Sequence, residues 1–163
     1  MDIDKKITLV SSDGEKVEIS SKAVKRSELV KGIIENFPDD VEVPLKNIKS
    51  PILKKIKEYL EHYENKEPKN IEMPLVNPNF KECVDDWDFK YIDIELEMIF
   101  EILLGANYMN IKSLLELSSS KIASIIKGKN TEEIRKTFNI SNDFTQEEEE
   151  KVLEENSWCM EDL

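Results

Sequence analysis

Alternating apolar and polar positions near the start of the chain predict a β-hairpin. The segment 7–20, "ITLVSSDGEKVEIS", carries two alternating runs on either side of "SDGE", where Gly14 can adopt the positive φ that a tight turn needs. A further short strand is expected at 41–45, "VEVPL", where Pro44 suits the edge of a sheet. The apolar positions of the hairpin are Ile7, Leu9, Val17 and Ile19.

Helical spacing of apolar residues follows in two segments. In "SSKAVKRSELVKGIIENF" the pattern predicts a helix that ends at Pro38. In "SPILKKIKEYLEHY", Ser50 is expected to cap a second helix, with Pro51 as its first residue. One stripe of this helix is apolar and is expected to face the core: Ile52, Leu53, Ile56, Tyr59, Leu60 and Tyr63.

The most apolar stretch of the chain lies at 92–111, "IDIELEMIFEILLGANYMNI". Asp93 can cap this helix, whose apolar residues leave little room for a polar face, so we expect it in the middle of the fold. The segment 112–128 then predicts one or two amphipathic helices that close at Gly128.

The last third of the chain combines strong helix caps with few apolar residues. Asn130 with Glu133, and Thr145 with Glu148, have the spacing of capping boxes. Two short helices with so little to bury cannot offset an ordering entropy of roughly 1–2 kcal/mol per residue. They are therefore expected to dock on the rest of the chain, on a partner, or on both. Their apolar residues are Ile134, Phe138, Ile140, Phe144, Val152, Leu153 and Trp158.

The segment 64–90 has no clean period and contains Pro68, Pro74 and Pro78. We interpret it as a long, partly disordered loop inserted into the domain. Trp87 is expected to pin this loop to the domain rather than to contact a ligand.

Charge narrows the classes of partner. The chain has 163 residues, 39% hydrophobic and 36% charged, and its net charge is −12, so nucleic acid and anionic membranes are not expected partners. Residues 145–163 hold eight acidic side chains against Lys151 alone. Cys83 and Cys159 form no CxxC motif, which favours a reduced intracellular protein, and the expected location is cytoplasm and nucleus.

Catalytic chemistry is not predicted. His62, the single histidine, is expected on a solvated helix face, and the four glycines form no phosphate loop. Cys159 has no histidine to activate it, and the glutamates 147–150 lack the pattern of a calcium loop. We therefore expect no enzyme activity, no cofactor and no metal site.

Ordered landmarks in the second half of the chain are similar to a known family. These are "ANYMNIK" (106–112), "IKGK" (126–129), "EEIRKTFNI" (132–140), "NDFT" (142–145) and "NSWC" (156–159), with looser matches at 9–15, 43–45 and 52–56. They resemble the Skp-type adaptor of SCF ubiquitin ligases, the S-phase-kinase-associated protein family. The resemblance covers nearly the whole chain except the loop at 64–84. Gly105 departs from it, since the family usually has alanine there.

The resemblance implies an α/β BTB/POZ fold, a small sheet with surrounding helices, plus a C-terminal two-helix extension. The BTB/POZ domain would span 3–127 with a long loop at about 64–90, and the F-box-binding extension and acidic tail would span 128–163. Carried over, the cullin-binding residues are Asn107 and Tyr108. The implied F-box-binding residues are Leu115, Ile122, Ile126, Phe138, Ile140, Trp158 and Cys159.

The implied function is that of an adaptor that bridges a cullin and F-box proteins for ubiquitin-dependent degradation. Two alternatives stay open. An elongin-C-like adaptor shares the BTB core but ends near it, so the matching residues 131–159 argue against it. A BTB interaction module without a ligase role would form homodimers, and the free adaptor is itself expected to self-associate weakly through its unfilled apolar face.

Overall fold

The computed structural model describes residues 6–37, 42–75 and 79–159. Its strands are β1 Lys6–Val10, β2 Lys16–Ser20 and β3 Glu42–Pro44. Its helices are α1 Glu28–Asn36, α2 Ser50–His62, α3 Phe80–Cys83, α4 Asp86–Ile92, α5 Leu96–Tyr108, α6 Lys112–Ile126, α7 Thr131–Phe138 and α8 Gln146–Glu155. Short 3-10 turns lie at Ala23–Arg26 and Ser157–Cys159. No helix in these ranges has the length and apolar composition needed to cross a bilayer.

The hairpin and the third strand form a three-stranded sheet in the order β2-β1-β3. β1 and β2 pair antiparallel with Ile7 opposite Ile19, and Gly14 in the connecting turn has a φ of +82°. β3 pairs parallel to β1 at the edge of the sheet, with Pro44 opposite Val10. The predicted hairpin, turn and edge strand are confirmed.

The start of α2 differs from the prediction, since Ser50 is the first helical residue and Lys49 occupies the cap position. The side chain of Lys49 makes no capping hydrogen bond. Instead the carboxylate of Asp13, in the hairpin turn, accepts hydrogen bonds from the Ser50 N–H at 3.2 Å and the Ser50 hydroxyl at 2.7 Å. The hairpin turn therefore caps α2 from 37 residues away in sequence.

This capping carboxylate should make stability depend on pH. Hydrogen bonds from the Ser11 and Ser50 hydroxyls hold the pKa of Asp13 at about 2, below its ordinary value of 3.8. A lowered pKa in the folded state stabilises the fold above pH 4, and the stabilisation is lost as the pH falls towards 2. We expect Asp13→Asn to melt below the parent at pH 7, with the difference shrinking between pH 4 and 2.

Thermal unfolding across this pH range would measure the effect. Asp143→Asn, at an exposed position in the C-terminal part of the chain, is the matched control and should melt as the parent does at pH 7. A melting difference between Asp13→Asn and the parent that stays constant from pH 7 to pH 2 would show that the charge of Asp13 does not stabilise the fold.

α5 begins at Leu96, later than the predicted cap at Asp93, which instead ends α4. α5 packs on α2, and its inner face carries Ile99, Ile102 and Ala106, all of which are buried. The helix is not buried all round, because Leu104 on the opposite face is 61% exposed. The expectation that α5 lies in the middle of the fold is therefore correct for one face and wrong for the other.

Gly105 allows α5 to approach α2 closely. A Cβ added at this position would lie 2.7 Å from the Cδ1 atom of Ile56, well inside an ordinary carbon–carbon contact. Close packing therefore accounts for the departure from the alanine that the family usually has here.

Substitutions at Gly105 and Ile56 should have strongly non-additive effects on the free energy of unfolding. Gly105→Ala gains about 1 kcal/mol of helix propensity but must displace the fully buried Ile56, so we expect a net loss of about 1 kcal/mol. Ile56→Val alone should cost about 0.5–1.5 kcal/mol. In the Gly105→Ala background the same change removes the clashing methyl, so it should cost little or stabilise. Urea unfolding of all four proteins would measure the coupling, and additivity within about 0.3 kcal/mol would refute it.

The prediction of a loop at 64–90 is wrong for its last part, whereas residues 64–75 form neither helix nor strand. Arg26 ties its start to the domain by donating to the carbonyl oxygen of Tyr63 at 2.9 Å and to both carboxylate oxygens of Glu67 at 2.9 and 3.0 Å. Its end forms α3 and α4, which bury Phe80 and Tyr91. Both helices have fewer than eight residues, too few to show a helical period in the sequence.

Trp87 lies on α4 and stacks on His62 of α2, with ring centroids 3.5 Å apart and an interplanar angle of 5°. It also stacks on Tyr91 at 5.0 Å. Trp87 therefore pins this segment to α2, as predicted. The expectation of a solvated His62 is wrong, because one face of its ring is covered and its Nε2 atom is buried.

The chain divides into two compact units, residues 1–127 and 128–163. The first contains the sheet, α1–α6 and the hydrophobic core. In the second, both predicted capping boxes are formed, by Asn130 with Glu133 and by Thr145 with Glu148. No residue between 128 and 158 is buried, so the thin packing predicted for this part of the chain is confirmed.

Candidate binding surfaces

Asn107 and Tyr108 lie in the last turn of α5, in the first unit. Asn107 is exposed, and Tyr108 is half-buried against the core. The helix ends at Tyr108; Asn110, two residues later, adopts a left-handed φ of +51°, and the Ile111 N–H donates to the Ala106 carbonyl at 2.8 Å. This tight reversal fixes both side chains at the rigid end of a helix.

The outer face of α5 continues this surface towards the start of the helix. Phe100 and Leu104 precede Tyr108 by two and one helical turns, and they are 37% and 61% exposed. We call Phe100, Leu104, Asn107 and Tyr108 the α5 ridge. The sequence interpretation missed Phe100 and Leu104 because it counted them as core, although their i, i+4 spacing beside Asn107 was visible.

Leu115, Ile122 and Ile126 share one face of α6, also in the first unit, and we call them the α6 stripe. Their spacing of seven and four residues places them within a narrow arc of the helix. Leu115 and Ile122 are half-buried against the core, and Ile126 is 38% exposed. The structure therefore brings these three predicted residues together on an accessible apolar stripe.

The remaining predicted site residues lie in the second unit. Phe138 is half-buried and ends α7, where Asn139 turns the chain with a φ of +52° and the Ile140 N–H donates to the Arg135 carbonyl at 2.8 Å. This reversal leaves Ile140 exposed. Trp158 lies in the 3-10 turn after α8, which ends at Cys159, and is 77% exposed.

Arg135 connects α7 with α8 and with the segment before it. Arg135 reaches Glu149 at 3.7 Å, and its guanidinium lies 5.8 Å from the centre of the Phe144 ring. Exposed ion pairs of this kind contribute little stability, typically below about 1 kcal/mol. Val152 and Leu153 remain exposed, so the second unit presents apolar side chains that a partner can cover.

The described part of the chain offers no group of three or more His, Cys, Asp or Glu side chains placed to hold a metal ion. Its accessible features are apolar helix faces: the α5 ridge, the α6 stripe and the exposed residues of the second unit. A small mixed sheet with surrounding helices and such faces defines a protein-interaction module of the BTB/POZ class.

The family follows from two matches. The tetramerisation domain of the Skp1 family matches residues 5–65, and the dimerisation domain of the Skp1 family matches residues 112–159. The chain belongs to the Skp1 family. The second match covers the segment that an elongin-C-like adaptor would lack, and it therefore favours the resemblance over that alternative.

Full-length relatives agree with this assignment. The S-phase kinase-associated protein 1 homolog of Tetrahymena thermophila is 49% identical over 157 residues, which cover 96% of this chain and 95% of that protein. The E3 ubiquitin ligase complex SCF subunit sconC of Arthroderma benhamiae is 43% identical over 157 residues, covering 96% of each. The sconC subunit of Talaromyces marneffei is 41% identical over 154 residues, covering 94% of this chain and 96% of that protein.

Proposed function

We propose that this chain is an adaptor subunit of an SCF ubiquitin ligase, which joins a cullin to F-box substrate receptors for ubiquitin-dependent degradation. The observation that carries the proposal is the second unit, whose helices are well capped but bury no residue between 128 and 158. A folded segment with exposed apolar side chains gains stability when a partner covers them.

Two sets of residues would bind the F-box protein: the α6 stripe in the first unit, and Phe138, Ile140, Trp158 and Cys159 in the second. The exposure of Trp158 and Ile140 supports this assignment, because an anchor must be accessible before the partner arrives. The α6 stripe supplies an apolar helix face of the kind that receives another helix.

The cullin side would be the α5 ridge. Asn107 and Tyr108 stand at the end of α5, and Leu104 and Phe100 extend them into a ridge with an apolar centre and a polar end. The two proposed faces belong to different helices, so each can be altered separately. In this role the chain positions other proteins and performs no catalysis itself, and it acts in the cytoplasm and nucleus.

A reconstitution from purified components tests the proposal. An F-box protein and the N-terminal domain of a cullin should elute together in size-exclusion chromatography only when this chain is added. A weak homodimer of the free chain should dissociate as the F-box protein is titrated in. A homodimer that persists while neither partner binds would instead favour a BTB module without a ligase role.

A further inference from the structure

A buried carboxylate lies in the aromatic contact between α4 and α2, and neither proposed binding surface uses it. Asp88 on α4 is only 4% exposed. Its carboxylate accepts a hydrogen bond from the hydroxyl of Tyr63, the residue that follows α2. Its Oδ1 atom is buried and has no hydrogen-bond partner among the described residues. An ionised carboxylate in this position is costly, because burial removes its water and one oxygen is left unpaired.

The rest of this contact is aromatic and favours the docking of α4. Trp87 stacks on His62, and the Tyr91 hydroxyl donates to the Lys55 carbonyl at 2.8 Å. The ring centroid of Tyr59 on α2 lies 5.6 Å from that of Tyr91 and 6.2 Å from that of Trp87. Since α4 lies outside the three-stranded sheet, it can open locally while the sheet stays folded.

The titration of Asp88 should make the docking of α4 depend on pH. Burial raises the pKa of Asp88 above its ordinary value of 3.8; the hydrogen bond from Tyr63 and the charge of Lys66 oppose the rise, and the carboxylate of Asp85 adds to it. An acid with a raised pKa binds its proton more tightly in the docked state. Docking is therefore favoured most below pH 3.8, and this advantage is lost as the pH rises through the raised pKa.

The other ionisable groups of this contact do not produce the same effect. Burial lowers the pKa of His62 below its ordinary value of 6.5, so protonation of His62 disfavours docking as the pH falls, which is the opposite sign. Burial raises the pKa of three tyrosines above the ordinary value of 10, so they stay neutral between pH 4 and pH 7: Tyr59, Tyr63 and Tyr91. The charged side chains near these rings are Arg26, Lys55, Glu58, Lys66 and Glu116.

We propose that α4 is a proton-sensitive latch on α2, closed when Asp88 is protonated and loosened when Asp88 is ionised. Loosening uncovers the aromatic face of α2 that carries Tyr59 and His62. The latch belongs to the free chain, so it does not depend on the proposed adaptor function.

Hydrogen–deuterium exchange of the full chain measures this opening. The protection factors of the α4 amides are compared between the parent and Asp88→Asn from pH 4 to pH 7. Asparagine keeps an acceptor for Tyr63 but cannot ionise, and His62 titrates in both proteins, so its effect cancels in the ratio. The ratio of parent to variant protection should fall by about 10-fold or more as the pH rises, because the parent then buries a charge with an unpaired oxygen. The amides of β1 should show no such change.

Two further variants sharpen the test. Asp86→Asn is the matched control, because Asp86 is an exposed carboxylate at the start of the same helix, and its ratio should not change with pH. Tyr63→Phe tests the latch without altering the carboxylate. It removes the hydrogen bond to Asp88, so it should lower the protection of α4 by about 3- to 10-fold more at pH 7 than at pH 4.

The outcomes decide whether the latch exists. A ratio for Asp88→Asn that stays constant from pH 4 to pH 7 would overturn it. If Asp88→Asn does not fold, Tyr63→Phe decides, and an equal loss of protection at both pH values would overturn the latch. If the β1 amides lose protection in step with those of α4, Asp88 acts on unfolding of the whole first unit, and the proposal is likewise overturned. The adaptor function stands in each case, since it is tested with its partners.

Discussion

Trp158→Ala is expected to weaken binding of an F-box domain by about 30-fold or more while leaving the melting temperature of the free chain nearly unchanged. The side chain is 77% exposed, so the free fold has little to lose when it is truncated. In the complex a tryptophan that becomes buried at an interface is a typical anchor, whose truncation costs about 2 kcal/mol or more. Isothermal titration calorimetry and thermal unfolding would measure the two quantities.

Phe37→Ala is the matched control for this substitution. Phe37 is also a large aromatic residue and is 60% exposed, but it follows α1 in the first unit, away from both α6 and the second unit's helices in sequence. F-box affinity should not change in this variant. If Trp158→Ala lowers the melting temperature and leaves the affinity for the F-box domain intact, Trp158 stabilises the free chain and is not part of the F-box site.

Ile140 should behave like Trp158, whereas Phe138 should not. Ile140 is exposed, so Ile140→Ala should affect F-box affinity with little change in stability. Phe138 is half-buried at the end of α7, so Phe138→Ala should lower both stability and affinity. The contrast follows from burial, since truncating a residue that already packs in the free chain removes contacts from both states.

Several local signals in the sequence predicted the structure, although the single-residue caps expected at Ser50 and Asp93 did not form. The capping boxes at Asn130 and Thr145 form as predicted, because each is completed within four residues of chain. Gly14 and the hairpin register were predictable for the same reason, since a two-residue period and a turn residue determine them. The thin packing of the second unit was likewise visible in the small number of its apolar residues.

Contacts between residues distant in sequence were not predictable. The cap of α2 comes from Asp13, 37 residues before Ser50, and no spacing rule relates the two. Arg26, the last residue of the 3-10 turn Ala23–Arg26, holds the 64–67 segment by hydrogen bonds. The sequence alone does not show that this turn places Arg26 beside that segment. The exposed face of α5 was also missed, because Phe100 and Leu104 lie among Glu97, Glu101 and Asn107 on that face and leave its polar stripe incomplete.

Leu104→Asp should abolish detectable binding of a cullin N-terminal domain and leave F-box affinity unchanged. The side chain is 61% exposed, so a carboxylate at this position remains hydrated in the free chain and the fold should tolerate it. At an interface the same charge would be desolvated without a partner, a cost of several kcal/mol and therefore at least about a 100-fold loss of affinity. Calorimetry with each partner separately would measure both affinities.

Leu153→Asp provides the matched control, because Leu153 is a similarly exposed leucine on α8 in the second unit. It should bind the cullin domain as the parent does. Asn107→Ala should weaken cullin binding less than Leu104→Asp, because it removes a polar contact without introducing an unpaired charge. Normal cullin binding by both Leu104→Asp and Asn107→Ala would place the cullin site away from the α5 ridge. If Leu104→Asp loses only cullin binding and Trp158→Ala loses only F-box binding, the chain has two independent binding faces, as an adaptor requires.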